Sequence, residues 1–122
     1  MGIKVVYFRG DDGAAPVLDW LSGIKDMKAR TACFERMEQL KMEGHRLRRP
    51  ASAPLRDGIH ELRAKANNVH YRILYGYSGT DAVLLHGCTK TDTVDPADID
   101  RAVANKRKFD ANPKARTYER AE

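Results

Sequence analysis

No purely apolar run in this 122-residue chain exceeds four residues, as at Ala82 to Leu85. A bilayer-spanning helix needs about 20, so none is expected. No apolar stretch follows the Met-Gly-Ile-Lys start that could serve as a signal peptide. Cysteine is scarce. Cys33 and Cys88 stand far apart without partners at metal-ligand spacing, which excludes a disulfide scaffold and fits a reduced, cytoplasmic setting. Gly-rich phosphate loops and Cys-x-x-Cys, His-x-x-x-His and Gly-x-Ser-x-Gly motifs are also missing. His45, His60, His70 and His86 are too dispersed for a sequence-level metal motif. Asp92, Asp95, Asp98 and Asp100 gather at a helix start, where capping and dipole complementarity account for them better than a metal. No cofactor and no metal are expected.

Positive charge is present, and it is localised. The net charge is +5. Residues 41–72 hold eight cations (Lys41, Arg46, Arg48, Arg49, Arg56, Arg63, Lys65 and Arg72) against the three anions Glu43, Asp57 and Glu61. Elsewhere the charges balance, so the whole excess lies in one short stretch. Such a footprint suits a polyanion, most often nucleic acid; the plainer alternative is a solvated basic loop. Arg46, Arg48, Arg49, Arg56 and Lys65 are the candidate nucleic-acid-binding cations.

The hydrophobic pattern gives one domain over residues 1–112 and a loose tail over 113–122. Ile3 to Phe8 reads as a strand that stops at Gly10-Asp11-Asp12-Gly13. Pro16 opens a helix with Val17, Leu18, Leu21 and Ile24 at helical spacing. Asp26 caps a second helix, which places Cys33, Phe34, Met37 and Leu40 on one side and ends near Glu43, before Gly44. The basic segment His45 to Asp57, with Pro50 and Pro54, reads as a loop. Ile59 to Ala66, Val69 to Tyr77 and Asp81 to Thr89 form an antiparallel meander, broken at Asn67-Asn68 and Ser78-Gly79-Thr80. Asp95-Pro96 starts the last helix. The expected fold class is α+β: a strand and a helical hairpin, a three-stranded meander and a C-terminal helix. The helices lie mainly on one sheet face, leaving the other open.

Side chains alternate along a strand, so parity assigns them to faces. Tyr71, Ile73 and Tyr75 should pack on the helices with Leu62, Val83 and Leu85. Glu61, Arg63, Lys65, His70, Arg72, Leu74, Leu84, His86, Cys88 and Lys90 should then point to the open face. His60 shares the parity of Leu62 and reads as a half-buried histidine, and Cys33 reads as core. Arg63, Arg72, Lys90 and His86 would converge beside the basic loop. Guanidinium groups grip phosphate oxygens and stabilise added transition-state charge, and a histidine can carry protons. Arginines paired with Glu61 and Asp57 on an ordinary surface are the alternative.

Three spaced motifs carry a family likeness: Asp57-Gly58-Ile59-His60-Glu61-Leu62-Arg63, Tyr71-Arg72-Ile73-Leu74-Tyr75 and Leu84-Leu85-His86-Gly87-Cys88-Thr89-Lys90. Together with the Asp-Pro start of the last helix, they resemble RelE/HigB-type toxins of type II toxin–antitoxin systems, closest to the phage-derived-protein branch, over positions 3–109. The resemblance implies a cytoplasmic, metal-independent mRNA endoribonuclease, often acting on translated mRNA in the ribosomal A site. In such enzymes the RNA 2′-hydroxyl attacks the adjacent phosphate. The implied partners are mRNA, the ribosome and a small antitoxin, commonly of helix-turn-helix type. By position, the resemblance implies that Arg72 holds the scissile phosphate and Lys90 stabilises developing charge or helps move a proton. Arg63, oriented by Glu61, would position the backbone, and His86 would serve as base or acid. Glu61 and Ile59 stand where the best-known RelE enzymes have lysines, and no tyrosine follows between Thr91 and Asp98. A non-catalytic module binding RNA, the ribosome or a protein partner is the alternative.

Overall fold

A computed structural model describes residues 2–90 and 93–119, with the backbone alone at Lys90. The strand β1 (Val5–Phe8) leads into the helical hairpin α1 (Pro16–Ser22) and α2 (Met27–Glu43). Pro16 occupies the first turn of α1, where its missing N–H would be unpaired anyway. The Asp26 carboxylate accepts from the Lys28 and Ala29 amides at the start of α2. That helix stops where Gly44 takes φ 56° and donates its amide to Leu40 O.

A 3-10 turn (Gly44–Arg46) then leads to β2 (Ser52–Pro54) and β3 (His60–Ala66). Asn67 and Asn68, both at positive φ, make the two-residue reversal into β4 (Val69–Ser78). Asparagine tolerates the left-handed region that such hairpin turns require. The strand β5 (Asp81–Lys90), the helices α3 (Pro96–Ala111) and α4 (Pro113–Arg116) and β6 (Thr117–Tyr118) follow.

The fold class is α+β, with a sheet of order β2-β3-β4-β5-β1-β6. β1 pairs parallel to β5, and the other pairings are antiparallel. The expected meander forms its centre and β1 joins it. Both edges run further than expected. β2 forms inside the segment read as a loop, pairing Ser52 to Pro54 with Leu62 to His60. In the tail expected to be loose over 113–122, residues 113–118 fold into α4 and β6, while 120–122 lie outside the described residues. Its Arg116 carbonyl accepts from the Arg9 amide at 2.7 Å, and the Arg116 guanidinium meets Asp11 at 2.8 Å.

Two hydrophobic cores lie on opposite sides of the sheet. On one side α1 and α2 cover Leu62, Ala64, Ile73, Tyr75, Ala82 and Leu84. On the other, Ile99, Ala102 and Phe109 of α3 cover Val6, Phe8, Leu74, Val83 and Leu85. The second face is therefore partly roofed rather than open. Cys33 is fully buried in the first core, and burial pushes its thiol pKa up to about 11. Phe34, expected beside it, is 39% exposed. The buried residues of α2 are Ala29, Cys33, Met37 and Leu40, and one step of about 100° past Cys33 carries Phe34 off that stripe.

A bulge in β5 corrects the parity there. Leu74 pairs with His86 but Tyr75 pairs with Leu84, so Leu85 is the extra residue. Leu84, expected on the open face, packs under the hairpin. Val83 and Leu85, expected under the hairpin, pack under α3. Beyond the bulge, His86 and Cys88 keep the expected face. Gly87, opposite Ile73, faces α1, where a Cβ would lie 2.3 Å from Trp20 Cδ2. Only glycine lets the indole sit this close to the strand.

Candidate functional site

Toward the α3 side of the sheet, the strand register generates three rows of residues. They are Lys65–His70–Lys90, Arg63–Arg72–Cys88 and Glu61–Leu74–His86. Arg63, Arg72 and His86 therefore share a face, as parity requires. Lys90 ends the first row; its side chain lies outside the described residues.

Glu61 organises the middle of this grid. Its Oε1 meets Arg72 Nε at 2.9 Å and Arg63 Nε at 3.1 Å, and its Oε2 accepts from Arg63 Nη2 at 3.1 Å. Glu61 and Arg72 are buried at 4% and 6% exposure, whereas the Arg63 side chain keeps 35%. The carboxylate raises the pKa of Arg63 above its ordinary value. Buried charges persist only when paired, so one carboxylate serves two guanidiniums. Arg72 lies on the expected face but is covered, not displayed; Arg63 is the guanidinium that solvent reaches.

His86 Nε2 lies 2.8 Å from Asp98 Oδ1, with side-chain exposures of 15% and 18%. Asp98 sits in the first turn of α3, where an anion also complements the helix dipole. Asn105 donates to Leu85 O at 2.9 Å and ties the same helix to the bulge. The four-aspartate stretch thus divides its tasks. Asp95 caps α3, Asp98 meets His86, and Asp100 meets Arg56 at 2.5 Å; Asp92 lies outside the described residues. Among the described residues, no group of three His, Cys, Asp or Glu side chains is placed to hold a metal.

The remaining basic residues do not join this cluster. Arg56 is exposed but engaged by both Asp57 and Asp100, which raise its pKa. Lys65, exposed at the far end of β3, lines a groove against α2. There Arg36 Nε donates to Arg63 O at 2.7 Å. Arg46, Arg48 and Arg49 are exposed on the segment before β2. Arg48 and Arg49 rim a cavity of about 490 Å³ that also takes in His45, His60, Tyr75 and Tyr77. His60 and Tyr75 are register partners, and Tyr75 belongs to the hairpin-side core, so this cavity opens on the other face of the sheet. The single basic footprint expected from the sequence is split between two faces and an edge. Sequence reasoning weighed His45 only as a metal ligand and gave Tyr77 no role beyond ending a strand. The pairing of His60 with Tyr75 across the Asn67-Asn68 turn was the available signal.

The molecule is thus a small α+β domain with a carboxylate-clamped arginine pair on one sheet face. Comparison with known families matches residues 19–107 to the phage-derived protein Gp49-like family (DUF891), and the chain belongs to that family. The family is associated with the toxins of toxin–antitoxin systems. The matched span contains Glu61, Arg63, Arg72, His86 and Lys90, while β1, α4 and β6 lie outside it. No curated protein matches the chain. No helix among the described residues is long and apolar enough to cross a membrane.

Proposed function

We propose that this chain is the toxin of a toxin–antitoxin pair and acts as a metal-independent mRNA endoribonuclease of RelE/HigB type, on ribosome-bound message. The observation that carries the reading is the Glu61-clamped Arg63–Arg72 pair, with the His86–Asp98 pair on the same face, in a chain of the Gp49-like family. The RNA 2′-oxygen forms a bond to the adjacent phosphorus as the bond to the 5′-oxygen breaks. This leaves a 2′,3′-cyclic phosphate and a 5′-hydroxyl end. The 2′-hydroxyl proton passes to a base, and the departing 5′-oxygen takes up a proton.

In this reading the solvent-reached Arg63 meets the scissile phosphate. Arg72, covered and held by the same carboxylate, fixes the geometry and adds positive charge behind it. Donors already in place where charge develops are worth several kcal/mol in a dry site. His86, oriented by Asp98, is the proton carrier, and Lys90 at the strand end supplies further charge. Arg46, Arg48, Arg49, Arg56 and Lys65 contribute contacts to RNA or ribosome, and a small helix-turn-helix antitoxin would cover the face.

Mapping of mRNA 5′ ends minutes after induction tests this, with Arg63→Ala and His86→Gln alongside. New ends inside coding regions, lost in both variants, are expected. A non-catalytic binding module is the second reading, favoured by the shallow exposure of Arg72 and His86. Growth arrest without new ends would select it.

A further inference from the structure

The cavity on the hairpin side has an aromatic construction that the nuclease reading, which draws only on its rim arginines, leaves unused. Its floor is the buried hydroxyl pair Ser52 Oγ and Tyr75 Oη, 2.6 Å apart. Its wall is aromatic: His45 stacks on Tyr77 with centroids 3.9 Å apart, and His60 lies 5.5 Å from Tyr77, edge to face. Its rim is cationic, from the exposed Arg48 and Arg49. A volume of about 490 Å³ falls in the range of small-molecule sites.

These parts match one chemistry. Flat rings accept any nucleobase by stacking, and sites for single-stranded nucleic acid combine such platforms with basic residues for the backbone. A guanidinium fork fits phosphate oxygens with two parallel hydrogen bonds. Burial and the neighbouring His45 hold the pKa of His60 below its ordinary value. Its imidazole is then neutral at pH 7 and offers one donor and one acceptor to a base edge. An acidic peptide would use the arginines but make no use of the aromatic wall.

We infer that this cavity binds a single nucleotide unit, with its base against the His45, Tyr77 and His60 rings and its phosphate on Arg48 and Arg49. The unit comes either from a free mononucleotide or from a single-stranded RNA. Because the site lies across the sheet from Arg63 and His86, the inference goes beyond the nuclease reading and survives its failure.

The test is a titration of the intact chain, following the ring proton and carbon NMR signals of His45, His60 and Tyr77. The probes are AMP, adenosine, inorganic phosphate and a short 2′-O-methyl RNA oligomer. The last lacks the attacking hydroxyl, so cleavage cannot affect the result. AMP should move all three rings. His45→Ala should weaken AMP and adenosine alike by about tenfold, the lower part of the range for a stacked base. Arg48→Gln with Arg49→Gln should weaken AMP but not adenosine. An oligomer that binds tighter than AMP and loses affinity in His45→Ala identifies RNA as the source; AMP binding without the oligomer identifies a free nucleotide. Absence of ring shifts with either probe up to about 10 mM, the edge of measurable affinity, overturns the inference. So does inorganic phosphate moving the rings as strongly as AMP, or affinities that neither variant changes. Should His45→Ala fail to fold, the wild-type titration decides alone.

Discussion

The two faces of the sheet hold two polar centres of opposite build. On the α3 face, Glu61 draws Arg63 and Arg72 into a compact cluster in which two of the three side chains are nearly sealed from water. On the hairpin face, His45, His60, Tyr75 and Tyr77 stand around open space, and Arg48 and Arg49 rim it. Both centres draw on cations from the same basic stretch of sequence. The first is held together by a buried carboxylate between neighbouring strands; the second has no such counter-charge among its lining residues. Positive charge in a sequence thus says that an anion will be found, but not whether it comes from the protein or from a ligand.

Removing the counter-charge of the closed centre should give the largest effect. Glu61→Ala takes away the carboxylate that both arginines share and should lower stability by about 3 kcal/mol, the scale for breaking a buried ion pair, read by urea denaturation. Arg72→Ala should cost less, about 2 kcal/mol, because Arg63 still holds Glu61. Equal losses in the two variants would mean that Glu61 is not the hub. Gly87→Ala probes the strand that links both faces. The new methyl meets Trp20 at 2.3 Å and should destabilise by about 1–3 kcal/mol. Trp20→Leu in the same chain should recover part of that loss, a coupling read from a double-mutant cycle.

The open centre should respond more mildly. Tyr75→Phe removes the buried hydrogen bond to Ser52 and should cost about 1 kcal/mol. The smallest effect is a pH dependence. Protonated His60 is disfavoured in the folded chain by burial and by His45, so as pH falls below the ordinary value of 6.5 the unfolded chain takes up the proton first. Stability should be level above that pH and decline below it, and His60→Gln should flatten that part of the curve in thermal melts.

Much of this architecture was legible in the residues. Asp26 and Gly44 bracket α2 and Asp95-Pro96 opens α3, because caps and left-handed glycines act through the few residues beside them. The Asn67-Asn68 turn set the β3–β4 register, and with it the shared face of Glu61, Arg63 and Arg72. The likeness of three motifs to RelE/HigB-type toxins agreed in class with the Gp49-like family to which the chain belongs. Leu85 marks where local reading stopped. A single extra residue turns Val83 and Leu84 to opposite sides from those that alternation assigns, and no local signal announces it. Phe34 looked like core until the geometry of α2 carried it past the buried stripe.

Sequence alone determined β1, α1, α2, the β3–β5 meander and α3, the caps of α2 and α3, the parity of β3 and β4 and the basic character of one stretch, because these depend on neighbours within a few positions. Only the tertiary structure decided that α3 roofs part of the second face and that Pro113 to Tyr118 closes the sheet beside β1. It also decided that Arg72 is sealed by Glu61 while Arg48 and Arg49 stand beside His45 and Tyr77 around a cavity. Each of these outcomes rests on contacts between segments far apart in the chain. Burial and charge pairing are properties of such contacts, and a residue's own neighbours in sequence carry no record of them.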